Sequence, residues 1–432
     1  MKANDQGLNT GKISPTRAIF VASIGNALEW FDLIIFGFLS VVISKQFFPE
    51  TDPTTSLMLT FATFGIAFVM RPLGGIYIGI FADKKGRIKA LTLAAGLMML
   101  GTGMIALMPT YHDIGIIATI GIVLARLIQG FSAGGEFASA TAFLAEQSKA
   151  RRGFFASWQI ASQGLTTLLA SGAGVMLTTM MAPEDLESWG WRLPFFFGML
   201  IGPVALYIRY KVPETEEFVE AETTETPLRD TLRSQRRPLI IAIGATVLGT
   251  VSTFAVLYVP TFAVREYGIA AQSAFTATLA TGIVQMILAP VVGHLGDKWG
   301  RHNIMIAAAV GMLLLIAPLY MWLAAVPTGT TLILVQIIFG VLLTGYFACQ
   351  PAFLSDLFPV QTRTTGMSIG YNFAVTLFGG FAPFIITVLI NTTGSKLSPA
   401  LYIMFAAVVS LIALVSSRKT VQSFRRAEAA AR

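Results

Sequence analysis

Five ionisable residues sit within long apolar stretches of this chain: Glu29, Asp32, Arg71, Arg126 and Glu136. A charge in hydrocarbon is expensive, so such residues face a bundle interior or a watery cavity and mark a route for ions or polar solutes. Glu29 and Asp32 are three residues apart and share one helix face. A carboxyl moved between solvated and desolvated surroundings changes its hold on a proton, and a nearby guanidinium opposes the effect of burial. Asp32 is therefore the first candidate for a proton carrier and Glu29 the second. Arginine keeps its charge and offers a planar fork that takes a carboxylate bidentately. Arg126 is the first candidate anchor for an anion, with Asp32 as its expected partner when no anion is bound. Arg71 either joins Arg126 or anchors a bend at Arg71-Pro72. Glu136 is either a further proton-bearing acid or the partner of Arg87.

Uncharged groups complete the set. Asn26, Gln159, Tyr258, Gln285 and Asn372 are candidate substrate-binding hydrogen-bonding groups, each with interhelical packing as the competing role. The second half of the chain has no cation at membrane depth, so the charge that reads an anion is expected in the first half. Enzyme chemistry finds no support. No Gly-rich phosphate loop ends in Lys-Ser/Thr, and no Ser, His and Asp arrangement marks a nucleophile. Cys349 is alone, and His112, His294 and His302 lack metal-ligand spacing. No cofactor and no metal is expected.

These residues need elements to hold them at depth. Of 432 residues, 54% are apolar and only 12% charged, against about 25% charged in a soluble domain. Mean hydropathy is +0.70. A soluble enzyme, a nucleic-acid binder and a disordered chain are excluded. Long apolar runs argue against a β-barrel of alternating strands. The expected fold class is an all-α polytopic membrane protein with twelve transmembrane helices in two six-helix bundles. The spans lie near 17–44, 57–82, 90–108, 115–140, 153–180, 192–210, 238–262, 273–296, 303–325, 330–353, 365–390 and 398–417. The first carries Glu29 and Asp32 and has no small-x-small site, so it is no cleaved signal peptide.

Basic residues set the orientation. With both termini cytoplasmic, 24 of the 30 Lys and Arg fall on the cytoplasmic side. The outer loops hold only Lys45, Arg192, Arg265 and Lys396. The same rule accounts for the net charge of +7 without nucleic acid. The expected organisation is a cytoplasmic tail 1–16, a bundle 17–210, a solvated cytoplasmic linker 211–237, a second bundle 238–417 and a basic tail 418–432 that touches anionic lipid.

The halves repeat. Gly79-x-x-x-Asp83-x-x-Gly86-Arg87 follows the second span and Gly293-x-x-x-Asp297-x-x-Gly300-Arg301 the eighth, each position offset by 214. Gly79 and Gly293 permit close helix approach, and Gly86 and Gly300 permit a sharp turn. The aspartate can accept N–H bonds from a facing helix N-terminus, and the arginine can pair with an acid. Such a motif latches two bundles in one state and releases them in another. Parallel repeats with a site between them are a transporter architecture.

The latch motif and Arg126-Leu-Ile-Gln-Gly130 resemble the major facilitator superfamily. Gly25-Asn-Ala-Leu-Glu29-Trp-Phe-Asp32, Met70-Arg71-Pro72-Leu-Gly-Gly75 and Ala125 through Glu136 resemble its metabolite:proton symporter family. Trp189-Gly-Trp-Arg192-Leu-Pro194, and Phe378-Gly-Gly380 before Ala-Pro383, fit the same family. The stretch from Phe378 to Ala400 is most similar to the citrate and tricarballylate carriers. Trp30 stands where those carriers have Gln, and Leu33-Ile34-Ile35 where aromatics are usual. The resemblance implies import of a small organic anion by proton symport with alternating access, in a bacterial inner-membrane monomer. One alternative is a zwitterion such as proline or glycine betaine, with the acids of the first span facing its ammonium. Another is a transporter-like sensor, for which the short tails leave no signalling domain.

Overall fold

The computed structural model describes residues 14–49, 53–210 and 225–430, together with Val212, Glu214, Phe218 and Val219. Every regular element among the described residues is helical. The helices that matter are α1 (Pro15–Phe38), α2 (Pro53–Lys85), α3 (Arg87–Leu107), α4 (Ile116–Glu146), α5 (Arg152–Met180) and α6 (Leu193–Tyr210) in the first half. The second half holds α7 (Arg236–Tyr267), α8 (Ala271–Trp299), α9 (Arg301–Ala325), α10 (Gly329–Phe347), α11 (Arg363–Ala374, continuing to Thr393) and α12 (Ser398–Ala430). Ten described spans are long and apolar enough to cross a membrane by length and composition alone. Helices α1 and α6, with 24 and 18 residues, stand in the first and sixth places of the expected order.

Helix is the forced choice because a backbone in lipid has to satisfy its own polar groups. The ends are written locally. Ser14 accepts the Arg17 N–H at the start of α1 (3.3 Å). Gly86, at φ 112°, and Gly300, at φ 90°, make the turns into α3 and α9, in a region other residues avoid. Pro72, Pro260 and Pro290 lie inside α2, α7 and α8. Large apolar side chains such as Leu314, Ile412 and Phe384 point outward, as a lipid-facing surface requires.

Association inside lipid relies on close packing more than on hydrophobic burial. Small residues therefore sit where helices cross. A methyl group at Gly134 of α4 would overlap the Arg71 carbonyl of α2 and stand 2.5 Å from Gly75 N. Between the halves, α5 packs on α8 and α2 on α11. At the first crossing a Cβ on Gly164 would lie 2.6 Å from Met286 N, and one on Gly293 would lie 2.5 Å from the Gly153 carbonyl. At the second, a Cβ on Gly79 would lie 3.1 Å from Thr365 Cα.

Four details depart from the expected organisation. The first span breaks at Leu39 and resumes as Ser40–Phe47. The stretch expected as a solvated linker contains a helix, Pro227–Ser234, and its described residues Val212, Glu214 and Phe218 are buried. The tenth span turns after Phe347 and resumes as Gln350–Ser355. The eleventh is not one α-helix: Val375–Gly379 is wound as a π turn, and Ala382–Thr393 follows.

Candidate functional site

Helices α1, α2, α3 and α4 enclose a narrow cavity lined by Asp32, Arg71, Met98, Arg126, Gln129 and Gly130. Arg126, Gly130 and Gly134 follow one another at four-residue spacing, so Arg126 stands on the α4 face that touches α2. That contact brings Arg126 and Arg71 to one cavity. Asp32, Arg71 and Arg126 are each at most 3% exposed.

Arg126 and Asp32 are not directly paired. Arg126 Nη1 donates to Gln129 Oε1 (2.8 Å), and Gln129 Nε2 donates to Asp32 Oδ2 (2.9 Å). The Thr102 hydroxyl of α3 also hydrogen-bonds Asp32 Oδ2. This leaves Asp32 Oδ1 and the Nε and Nη2 of Arg126 without a hydrogen-bond partner among the described residues. Buried polar atoms are nearly always satisfied, and unsatisfied ones point to a missing group. Two adjacent free donors of one guanidinium match the two oxygens of a carboxylate. Aromatic rings cover the remaining faces. Phe36 lies 4.4 Å and Phe64 5.5 Å from the Arg126 guanidinium, and Phe68 lies 4.7 Å from that of Arg71.

A second small cavity lies between the halves, lined by Trp30, Gln163, Thr167, Thr253 and Gln285. Among the described residues its lining carries hydrogen-bonding groups and no charge. Gln163 Nε2 is buried without a partner among the described residues. Trp30 reaches across to Phe254 of α7, with ring centroids 6.3 Å apart.

At the end of the molecule where the basic loops gather, two related latches cross between halves. Asp83 accepts the Thr364 and Thr365 N–H groups at the start of α11 (3.2 and 2.8 Å) and the Thr365 hydroxyl (2.6 Å). Asp297 accepts the Gly153 and Phe154 N–H groups at the start of α5 (2.8 and 2.9 Å). Each helix start has unpaired N–H donors to offer. Arg87 pairs with Asp83 (2.5 Å) and Glu146 (3.3 Å), and Glu146 also holds Arg363 of the other half (2.9 Å). Arg301 pairs with Asp297 (2.8 Å) and with Asp356, which also takes Arg152 of the first half (3.3 Å).

The model of the Major Facilitator Superfamily matches residues 18–383 and again 277–429. The chain belongs to the Major Facilitator Superfamily. It is 36% identical over 401 residues to a citrate-proton symporter of Klebsiella pneumoniae, covering 92% of this chain and 90% of that one. It is 30% identical over 428 residues to a proline/betaine transporter of Escherichia coli K12, covering 96% and 85%. A solved proton:xylose symporter superposes with a TM-score of 0.77 at 18% identity, covering 94% and 96%. As a superfamily member the chain has the twelve-helix fold, is a transporter and not an enzyme, and is a multi-pass inner-membrane protein.

With the superfamily established, the residues singled out in the sequence sort themselves by contact. Asp32, Arg71 and Arg126 share one cavity, and Gln285 lines the other. The expected direct pair of Asp32 and Arg126 is corrected: Gln129 stands between them, its amide oxygen accepting from Arg126 and its amide nitrogen donating to Asp32. The expected pairing of Arg87 with Glu136 is also corrected. Glu146 takes that place, ten residues nearer the latch end of α4, while Glu136 stays buried in mid-helix. Asn26 donates to the Gln159 carbonyl and Ser162 (2.9 and 2.8 Å). Gln159 bonds Thr141 and the Phe137 carbonyl, the latter at 3.1 Å. Asn372 donates to the Gly134 carbonyl at 2.6 Å, and the Tyr258 hydroxyl meets Thr387 at 2.9 Å. All four are interhelical bonds in this state. The Glu29 side chain lies outside the described residues. Thr102, Glu146 and Asp356 were not singled out. The repeat held a signal for the two acids, since an acid precedes an arginine at both latches, Glu146 before Arg152 and Asp356 before Arg363.

Proposed function

We propose that this transporter imports a citrate-like di- or tricarboxylate together with protons across a bacterial inner membrane. The observation that carries this reading is the buried Arg126 guanidinium, whose Nε and Nη2 have no hydrogen-bond partner among the described residues, beside an aspartate whose Oδ1 also has none there. A carboxylate takes those two donors, and Arg71 supplies a second positive charge for another carboxylate. Asp32 carries the proton. With Asp32 ionised, the described lining of the cavity holds two positive charges and one negative. With Asp32 protonated, both arginines are available to the substrate. Gln129 links the two events because its amide touches the anion anchor at one end and the proton acceptor at the other. Gln285 and Gln163 offer neutral hydrogen bonds to the remainder of the substrate once the cavities join. Glu29 and Glu136 are secondary candidates for proton transfer.

The two bundles, 17–210 and 238–417, rock about this site, joined by the linker 211–237. The basic end is cytoplasmic by the distribution of Lys and Arg, so both tails are cytoplasmic and the latches close the inner side. The protein works as a monomer. The relatedness to citrate-proton symporters supports the substrate class. The lower-identity relatedness to proline/betaine transporters supports a second reading, in which the acids of α1 face an ammonium.

Purified protein in liposomes holding a pH-sensitive dye tests this. Citrate, tricarballylate, 2-oxoglutarate, succinate, proline and glycine betaine are added singly. Acidification with a di- or tricarboxylate is the expected result. Acidification with proline or betaine alone selects the second reading, and labelled citrate entering without acidification removes the proton coupling.

A further inference from the structure

Phe68, at mid-depth in α2, touches both an arginine of the site and the opposite half of the protein. Its ring lies 4.7 Å from the Arg71 guanidinium. The same ring packs edge-on against Phe254 of α7, with centroids 5.2 Å apart. It also meets Phe64 at 5.2 Å, which reaches Arg126 at 5.5 Å. Phe68 is fully buried. It meets α11 where that helix leaves α geometry. In the π turn Val375–Gly379 the Gly380 N–H reaches back to the Val375 carbonyl (2.7 Å). Single π turns inside helices cluster at functional places. The Thr376 hydroxyl within this turn donates to the Phe68 carbonyl (2.7 Å). A Cβ on Gly380 would stand 2.5 Å from Phe68 Cγ and 2.8 Å from its Cβ, and one on Gly379 would stand 2.9 Å from the Phe254 ring. The ring is thus seated on a turn that only glycine can floor.

We infer that Phe68 and the π turn of α11 form a joint that holds the latch end shut until an anion occupies the arginines. This rests on the carboxylate reading for the identity of the trigger. A carboxylate that pairs with the edge of Arg71 neutralises and re-aims the guanidinium, which weakens its cation–π hold on the ring. The ring then leaves its seat. That seat lies on the α2–α11 boundary, whose far end carries the Asp83 latch. Phe68 and Gly380 act through Arg71 and the latch, and are positioning residues.

Hydrogen exchange of peptides carrying Gly153, Phe154, Thr364 and Thr365 reads the latch with no ligand present, since those amides bond across the halves. Phe68→Leu empties the seat, Gly380→Ala wedges it, and Thr376→Val removes its hydrogen bond. Each is expected to speed latch exchange at least fivefold. Phe68→Leu with Gly380→Ala is expected to return within about twofold of wild type, because the new methyl takes volume the ring gave up. Single variants that exchange like wild type overturn the joint, as does a double variant equal to the product of its singles. Thr376→Val carries the test if Gly380→Ala fails to fold. With citrate, wild-type latch exchange is expected to rise and that of Phe68→Leu to stay level. Uptake by Phe68→Leu is expected to keep its KM within threefold while its maximal rate falls at least fivefold. Citrate uptake by the wild type with no change in latch exchange overturns the coupling. Absence of citrate uptake by the wild type sinks the carboxylate reading instead, and the ligand-free exchange still decides the joint.

Discussion

Asp83→Asn is the substitution whose effect the structure best lets one calculate. The carboxylate receives four hydrogen bonds: Thr364 N–H at 3.2 Å, Thr365 N–H at 2.8 Å, the Thr365 hydroxyl at 2.6 Å and Arg87 at 2.5 Å. The first three cross from α2 to α11 and exist only while the latch end is closed. Hydrogen bonds to an ionised acceptor contribute about 1.5–3 kcal/mol each, against about 1 kcal/mol for neutral pairs. Asparagine keeps one acceptor oxygen and turns its NH2 toward groups that also donate. About one crossing bond is lost outright and the rest fall to neutral strength. The summed loss is about 2.5–7 kcal/mol, and at 1.4 kcal/mol per decade even its lower end shifts the equilibrium toward the open latch about 60-fold. Hydrogen exchange at Thr364 and Thr365 reads the shift directly, and uptake falls because the carrier accumulates in one state. Asp297→Asn serves as the internal comparison. Its side chain is 7% exposed, against none for Asp83, so water takes up part of the loss and a smaller shift is expected. A folded Asp83→Asn protein whose latch amides exchange within threefold of wild type refutes this reasoning.

Three further outcomes follow from the same contacts. Arg126→Lys keeps the charge and loses the two adjacent donors, so citrate uptake is expected to fall at least about 100-fold in Vmax/KM, equivalent to roughly 3 kcal/mol; uptake assays over a range of citrate concentrations check it. Asp32→Asn is expected to abolish proton-driven accumulation while citrate–citrate exchange persists, measured as counterflow in liposomes; accumulation against a gradient by this variant removes Asp32 as the carrier. Gly134→Val drives side-chain atoms into the Arg71 carbonyl and the Gly75 amide, both backbone and unable to yield. Overpacking of this kind costs about 1–3 kcal/mol, and a lower thermal midpoint in detergent together with weakened citrate binding is expected because the displaced turn carries Arg71.

The residues themselves disclosed the class of molecule, its repeat and the depth of its charges. Composition demands a membrane solvent, and the 214-residue offset of the two Gly-x-x-x-Asp-x-x-Gly-Arg motifs demands two related halves. Asp32, Arg71 and Arg126 were legible because an ionisable group in an apolar run carries its cost on its face. Their mutual arrangement was not. The amide of Gln129 between Arg126 and Asp32, the grip of Glu146 on both Arg87 and Arg363, and the seat of Phe68 on Gly380 all join residues far apart in sequence or on different helix faces. In a soluble protein an apolar stripe tells each helix which side to bury. Here lipid is as apolar as the bundle interior, so both sides of a span read alike and its rotation is decided by close packing against its neighbours. Only the assembled helices choose which polar atoms meet.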